Sequence, residues 1–129
     1  MYPEALKYNS DSMWIKVEDS VRARTGITDF YQKQITKTVF VELPKEGTAV
    51  KKGAPFGSIE SSKTISDLLS PVSGKITSVN RSLNTNPGLI DSDPYGKGWM
   101  VVIEMAVPEE LNSLISAKEY QAYVESKSK

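Results

Sequence analysis

The chain has 129 residues, 39% of them apolar and 25% charged, and its 16 basic side chains balance its 16 acidic ones. This zero formal net charge argues against a broad electrostatic footprint for nucleic acid or anionic lipid. The sequence has no cysteine and no histidine, which excludes disulfides, Cys/His zinc sites and thiol nucleophiles and removes the usual general base. These exclusions favour a carrier, binding module or structural part over an enzyme.

The length suits one domain spanning residues 1–129. No stretch of the sequence approaches the length of a membrane span. Residues 1–14 lack both the apolar core of a secretion signal and the Arg-rich composition of a transit peptide. We therefore expect a cytoplasmic protein.

Strand patterns recur along the chain between turn residues. Short apolar or alternating segments predict strands at 21–25, 39–43, 56–60, 72–79 and 99–105. The last of these is apolar at nearly every position, which is typical of a strand covered on both faces. Three glycines, Gly47, Gly53 and Gly57, predict tight bends.

Helical signals are fewer. Thr28 is a predicted N-cap for a short helix that runs to Ile35, and Asp29 with Gln32 gives a capping-box spacing in the next register. Residues 84–98, rich in Asn, Asp, Pro and Gly, are predicted to form a long loop.

A C-terminal helix is also expected. The apolar spacing within residues 111–115 predicts a helical face. Ser116 and Glu119 have the spacing that begins a further helical turn, and residues 126–129 are expected to fray. Short strands, glycine turns and flanking helices together predict a small, mainly β sandwich or barrel.

One lysine, Lys63, has a distinctive setting. It lies in the sequence "ESSKTI", which we place in the connection between strands 56–60 and 72–79. A lysine on a tight turn projects from the protein body as a hydrated point charge. Acylation would remove that charge and convert the stem into a flexible tether, which raises the local concentration of whatever it carries.

The residues around Lys63 resemble the lipoylation signature of the glycine cleavage system H-protein family. The signature is "ESSK" followed by "SPVSGKITSVNRSL", and "TGITDFYQ", "VFVELPKEGTAVKKGAPFGSIESSK" and "NPGLIDSDPYGKGW" resemble the same family. The resemblance covers nearly the whole chain in the right order. Ser62 and Thr64 flank the lysine where biotin carriers usually have methionines, which favours lipoic acid over biotin.

The resemblance implies a fold, a cofactor and several site residues. The fold is a barrel-sandwich hybrid of the lipoyl/biotinyl-carrier type with short flanking helices, including a C-terminal helix. Lipoic acid would be joined to Lys63 as an amide by a separate lipoyl-attaching enzyme. Ser62 replaces an apolar residue of the family beside the lysine. Glu60 either helps that enzyme recognise the turn or ends a strand, and Asp67 either orients the arm or caps a bend.

The family also implies a role and partners. The lipoyl-lysine arm would carry the aminomethyl group of glycine between glycine decarboxylase, aminomethyltransferase and dihydrolipoyl dehydrogenase. The protein itself would be a non-catalytic carrier. We expect it to be a monomer, because carriers that visit several enzymes bind each briefly.

Two departures from the family pattern keep an alternative open. The usual "HEW" is "SMW" here, so Met13 replaces a glutamate, and Tyr31 replaces a small residue. Met13 and Tyr31 are candidates to line the cleft that receives the cargo. Since Met13 cannot stabilise a cationic cargo, the alternative is an H-like lipoate-binding protein that carries sulfur intermediates for a heterodisulfide-reductase-like sulfur oxidation complex.

Overall fold

The structure, a computed structural model, describes residues 2–127. Its strands are β1 (Lys7–Tyr8), β2 (Met13–Val17), β3 (Arg22–Ile27), β4 (Thr38–Glu42), β5 (Ala49–Val50), β6 (Pro55–Ser61), β7 (Ile65–Leu69), β8 (Gly74–Val79) and β9 (Val101–Met105). A six-stranded sheet has the order β1-β2-β3-β9-β8-β5, and a three-stranded sheet has the order β4-β6-β7. Neighbouring strands in both sheets are antiparallel.

Short helices flank the sheets. They are α1 (Asp29–Ile35), α2 (Ser82–Thr85), α3 (Leu89–Ser92), a 3₁₀ helix (Pro108–Ser113) and α4 (Ala117–Lys127). The mainly β architecture with a C-terminal helix is the one that the sequence predicts. Residues 128 and 129, at the predicted frayed end, lie outside the described residues, whereas Ser126 and Lys127 belong to α4.

The main apolar cluster combines side chains from both sheets. Ile15 and Ile103 come from the larger sheet, and Val41, Ile59 and Leu68 come from the smaller one. Each fully buried side chain of this size contributes about 1.5–3 kcal/mol. In β9 only Glu104 is exposed, which confirms the predicted strand with both faces covered. The cluster thus holds the three-stranded sheet against the rest of the protein.

A second cluster attaches α4 to the first strands. Tyr8 of β1 stacks on Tyr120 of α4 with ring centroids 4.9 Å apart, and Trp14 is buried in the same cluster. The Tyr120 hydroxyl also lies 2.8 Å from the Thr28 hydroxyl at the start of α1. The C-terminal helix is therefore connected to both β1 and α1.

Two of the helix caps predicted from the sequence are confirmed, and one predicted capping box is wrong. The Tyr31 N–H donates to the Thr28 hydroxyl, as expected of an N-cap. At α4, the Ser116 N–H donates to Glu119 and the Glu119 N–H donates to the Ser116 hydroxyl, which completes the capping box. Gln32 does not reach back to Asp29; its amide donates instead to Thr36 and Asp91.

Several predicted segments are corrected by the structure. Residues 65–69 form a strand that the sequence analysis missed, because "ISDLL" does not alternate cleanly. The predicted helical face at 111–115 is the end of a 3₁₀ turn followed by extended chain, since Leu114 has ψ 155°. Residues 84–98 include the second half of α2 and all of α3 rather than one long loop.

Alkaline pH is expected to destabilise the fold through its tyrosines. Burial raises the pKa of Tyr2 to about 12 from the ordinary 10.0, and burial also raises the pKa values of Tyr8 and Tyr120. Above the ordinary pKa the unfolded chain has lost these protons while the folded chain retains them. The free energy of unfolding therefore falls as pH rises past the ordinary tyrosine value.

Urea unfolding at about pH 8 and about pH 11, with tyrosinate absorbance as the titration readout, measures this effect. A Tyr2→Phe variant is expected to lose part of the pH dependence. An unfolding free energy that stays constant between the two pH values would contradict the prediction.

Candidate functional site

Lys63 lies at the tip of the β6–β7 hairpin. Its side chain is exposed, and the turn is closed by a hydrogen bond of 2.8 Å from the Ser61 N–H to the Thr64 carbonyl. The Ser61 hydroxyl accepts from the N–H groups of Lys63 and Thr64 at 3.1 and 3.0 Å. One buried serine therefore satisfies both amides of the turn and leaves the Lys63 side chain in solvent.

Ser62 attaches this turn to the end of α1. Its N–H donates to the Lys37 carbonyl at 2.9 Å, and its hydroxyl lies 3.1 Å from the Thr36 hydroxyl. Thr36 has φ 66°, in the left-handed region that non-glycine residues seldom occupy. Ser62 thus adds a side-chain contact between the turn and the α1–β4 connection.

Replacing Ser61 with alanine is expected to loosen the turn. The two amides would lose their common acceptor, at a cost of about 1 kcal/mol. The amide hydrogens of Lys63 and Thr64 should then exchange roughly fivefold faster. Ser58→Ala on the same strand is the matched control, because the Ser58 side chain lies away from the turn. Equal exchange rates in the wild type and Ser61→Ala would contradict this role.

A cleft of about 360 Å³ lies between the chain before β2, helix α1 and the end of α4. Its lining residues are Ser10, Asp11, Ser12, Phe30, Tyr31, Gln34, Tyr123 and Lys127. The Tyr31 hydroxyl donates to the Asp67 carbonyl of β7 at 3.4 Å. Since Asp67 is on the same hairpin as Lys63, Tyr31 links the cleft to the strand that leads away from the lysine.

Burial and two nearby carboxylates act on the Tyr31 hydroxyl. Burial raises the Tyr31 pKa most, and the carboxylates of Asp67 and Asp11 raise it further, against a hydrogen bond with Ser66 that lowers it. Tyr31 is therefore a neutral hydroxyl near neutral pH. The expectation that Tyr31 lines a cleft agrees with its position, although its role toward a cargo stays a prediction.

Met13 does not line the cleft. Its side chain has 0% exposure and packs in the main apolar cluster. A carboxylate two positions earlier, that of Asp11, does line the cleft. Sequence reasoning missed Asp11 because it compared residue 13 alone with the family pattern. Asp11 lies in a turn in which the Asn9 side chain accepts hydrogen bonds from the Asp11 and Met13 N–H groups.

Asp67 and Glu60 both lie within strands. Asp67 pairs with Ser58 in the middle of β7, so it does not cap a bend. Glu60 is exposed one residue before Ser61 and pairs with both Phe40 and Ile65. Ser61 itself went unnoticed in the sequence, although a small hydroxyl residue two positions before a turn amide is a known turn signal.

A chain of buried hydroxyl groups begins at Ser12, which lines the cleft. The Tyr120 hydroxyl donates to the Ser12 hydroxyl at 2.7 Å and therefore accepts from Thr28. Ser12 has φ 62°, a left-handed conformation that is held by hydrogen bonds between its backbone and Asn9 and Thr28. These contacts join the chain before β2 to the start of α1 and to α4.

Two antiparallel sheets around a shared apolar cluster, with an exposed lysine at a hairpin tip, define the barrel-sandwich class of carrier-type domains. Comparison with known proteins narrows the class. A family model described as "Glycine cleavage H-protein" matches residues 6–127, and the chain belongs to that family.

Relatives and a solved structure agree with this assignment. The chain is 46% identical to the glycine cleavage system H protein of Geobacillus thermodenitrificans over 122 residues, 95% of each chain. It is 48% identical to the mitochondrial H protein of Pisum sativum over 95% of this chain and 73% of the relative. A crystal structure of a glycine cleavage system H protein from Mycobacterium marinum matches with a TM-score of 0.87 and 35% identity, over 95% of this chain and 98% of that one.

These relatives are all glycine cleavage system H proteins, and none of them supports the sulfur-carrier alternative. Within residues 2–127, no helix is long and apolar enough to cross a membrane.

Proposed function

We propose that this protein is the lipoyl carrier of a glycine cleavage system, with lipoic acid attached to Lys63. The observation that carries the proposal is the exposed Lys63 amine at the tip of a hairpin, in a chain of the H-protein family. Its lipoyl arm carries the aminomethyl group of glycine between glycine decarboxylase, aminomethyltransferase and dihydrolipoyl dehydrogenase. A single domain, a cytoplasmic location and a monomeric state belong to the same proposal.

The residues around Lys63 fit an amide-linked cofactor. The lysine is exposed, and its ammonium takes part in none of the ion pairs among residues 2–127. Because Ser61 and Ser62 satisfy the backbone of the turn, acylation of the side chain disturbs no contact of the fold. When attached, the lipoyl group supplies the disulfide that accepts and releases the cargo.

The cleft beside the hairpin suits a cationic cargo. Asp11 lines it, and Asp67 lies close enough for its charge to act on Tyr31. A protonated amine in this cleft would be attracted by the Asp11 carboxylate and, from outside the lining, by Asp67, against the Lys127 ammonium that also lines the cleft. Asp11 thus places a negative charge beside the cleft although Met13 has none, which supports an aminomethyl cargo.

Removing the negative charges of Asp11 and Asp67 is expected to weaken binding of the protonated amine in the cleft. In an Asp11→Asn/Asp67→Asn double variant, the loss of two exposed charge interactions costs about 1 kcal/mol. At fixed glycine and bicarbonate, the ratio of loaded to unloaded carrier should fall roughly fivefold. Intact mass measures the ratio, and higher salt should shrink the difference.

Glu109→Gln, an exposed acid on the 3₁₀ helix, is the control for net charge. An unchanged ratio in the double variant would show that the cleft does not hold the cargo.

The proposed function is tested with the full chain. The chain is lipoylated, peptide mapping verifies the adduct on Lys63, and the protein is mixed with glycine decarboxylase and glycine. We expect exchange of the glycine carboxyl carbon with labelled bicarbonate that depends on the lipoylated chain. Correctly lipoylated protein that supports no exchange would overturn the glycine cleavage role.

A further inference from the structure

The outer face of the three-stranded sheet exposes two large apolar side chains next to Lys63. Phe40 of β4 is 53% exposed and Ile65 of β7 is 69% exposed. Glu60 of β6 pairs directly with both of them, and directly paired residues of antiparallel strands share one face of a sheet. The three side chains therefore form one row across the sheet, and Ile65 is two residues from Lys63.

A second row continues the same face. Glu42 pairs with Ser58, and Ser58 pairs with Asp67. Each residue of this row is two positions from a member of the first row, so it points to the same side. We call Phe40, Ile65, Glu42, Glu60 and Asp67 the acidic–apolar face.

The carboxylates of this face lack cationic partners within the described residues. The ion pairs found there use Glu18, Asp19, Asp29 and Glu46. Three acids around two exposed apolar side chains are complementary to an apolar depression bordered by lysine or arginine. The face is continuous with the hairpin, so whatever binds it also reaches the Lys63 amine.

We propose that the acidic–apolar face is the docking surface for the enzyme that acylates Lys63, with Phe40 and Ile65 as its apolar anchors. This inference rests on the proposed function. An enzyme that binds an acyl adenylate must present cationic groups to the phosphate. The entrance of its active site is therefore positively charged, and this charge is complementary to the three carboxylates of the acidic–apolar face. The Lys63 ammonium first loses one proton to become an amine. In the transfer, the amine nitrogen forms an amide bond with the acyl carbon, the acyl–phosphate bond breaks, AMP leaves, and a second proton leaves the nitrogen.

The test measures acylation of the full-length apo chain by a lipoate–protein ligase with lipoate and ATP. Phe40→Ser and Ile65→Ser are expected to raise the KM for the chain by roughly tenfold each, because central apolar anchors dominate protein interfaces. The kcat should change less than about twofold, since the lysine and the adenylate are untouched. Val17→Ser and Val107→Ser, at residues 45% and 41% exposed elsewhere on the protein, are the matched controls.

Charge is tested separately. Glu42→Gln is expected to raise KM and to reduce its dependence on salt, whereas Glu109→Gln should change neither. Unfolding curves of each variant verify that the fold is retained, as expected for exposed positions.

The outcomes separate the two proposals. Wild-type chain that is acylated on Lys63, with KM raised by Phe40→Ser and Ile65→Ser and not by the valine controls, supports the docking surface. If the wild-type chain is acylated and both variants have the same KM as the wild type, the docking surface is wrong and the proposed function stands. Wild-type chain that the ligase does not acylate overturns the proposed function and this inference with it.

Discussion

Replacing Lys63 with arginine is expected to abolish lipoylation and, with it, all glycine–bicarbonate exchange supported by the protein. Arginine keeps the positive charge and a similar length, so the exposed turn should fold as before. Its guanidinium remains protonated and does not act as the acceptor of an acyl group. Intact mass of the variant after incubation with ligase, lipoate and ATP should show no added lipoyl group, and exchange should fall to the level without carrier.

Lys37→Arg is the matched control. Lys37 is an exposed lysine of the adjoining α1–β4 connection, and its backbone carbonyl accepts a hydrogen bond from the Ser62 N–H. The substitution leaves that carbonyl in place, so lipoylation and exchange should match the wild type. If Lys63→Arg protein still acquired a lipoyl group, the modified residue would be another lysine and the assignment of the site would be wrong.

Replacing Gly57 with alanine is expected to destabilise the sheet that carries the hairpin. Gly57 lies within β6, beside a register shift in its pairing with β7, rather than in the tight bend that the sequence suggests. A methyl group at this position would overlap the backbone carbonyl oxygen of Glu42 in β4. Backbone cannot move aside as a flexible side chain can, so β4 and β6 would separate, at a cost of about 3 kcal/mol.

Urea unfolding measures this loss in the free energy of unfolding. The rate of lipoylation shows whether the change also affects the turn that carries Lys63. Gly88→Ala is the control, because Gly88 has an ordinary helical φ of −63° and its added methyl would only touch the Asn86 side chain at 3.4 Å. That variant should remain within about 0.5 kcal/mol of the wild type. Equal stabilities of the two alanine variants would contradict the close strand approach at Gly57.

Local signals account for the parts of the fold that the sequence predicts well. The Ser116–Glu119 capping box and the Thr28 N-cap each depend on residues only three positions apart. The burial of β9 follows from its own composition. By contrast, the sequence "ISDLL" forms strand β7 although its apolar residues do not alternate regularly. It is a strand because it pairs with β6, and this cross-strand pairing is not visible in its own pattern.

The sequence by itself determined the class of protein and singled out Lys63 as the proposed attachment site. The class follows from a family signature, and that signature is a local stretch of sequence around Lys63 that needs no distant contact to be recognised. Only the tertiary structure decided what surrounds that lysine. It buried Met13, brought Asp11 into a cleft with Tyr31, and aligned Phe40 with Ile65 across Glu60. The physical reason is that these neighbours are set by strand register and helix packing, which join residues far apart in the chain and leave no local pattern.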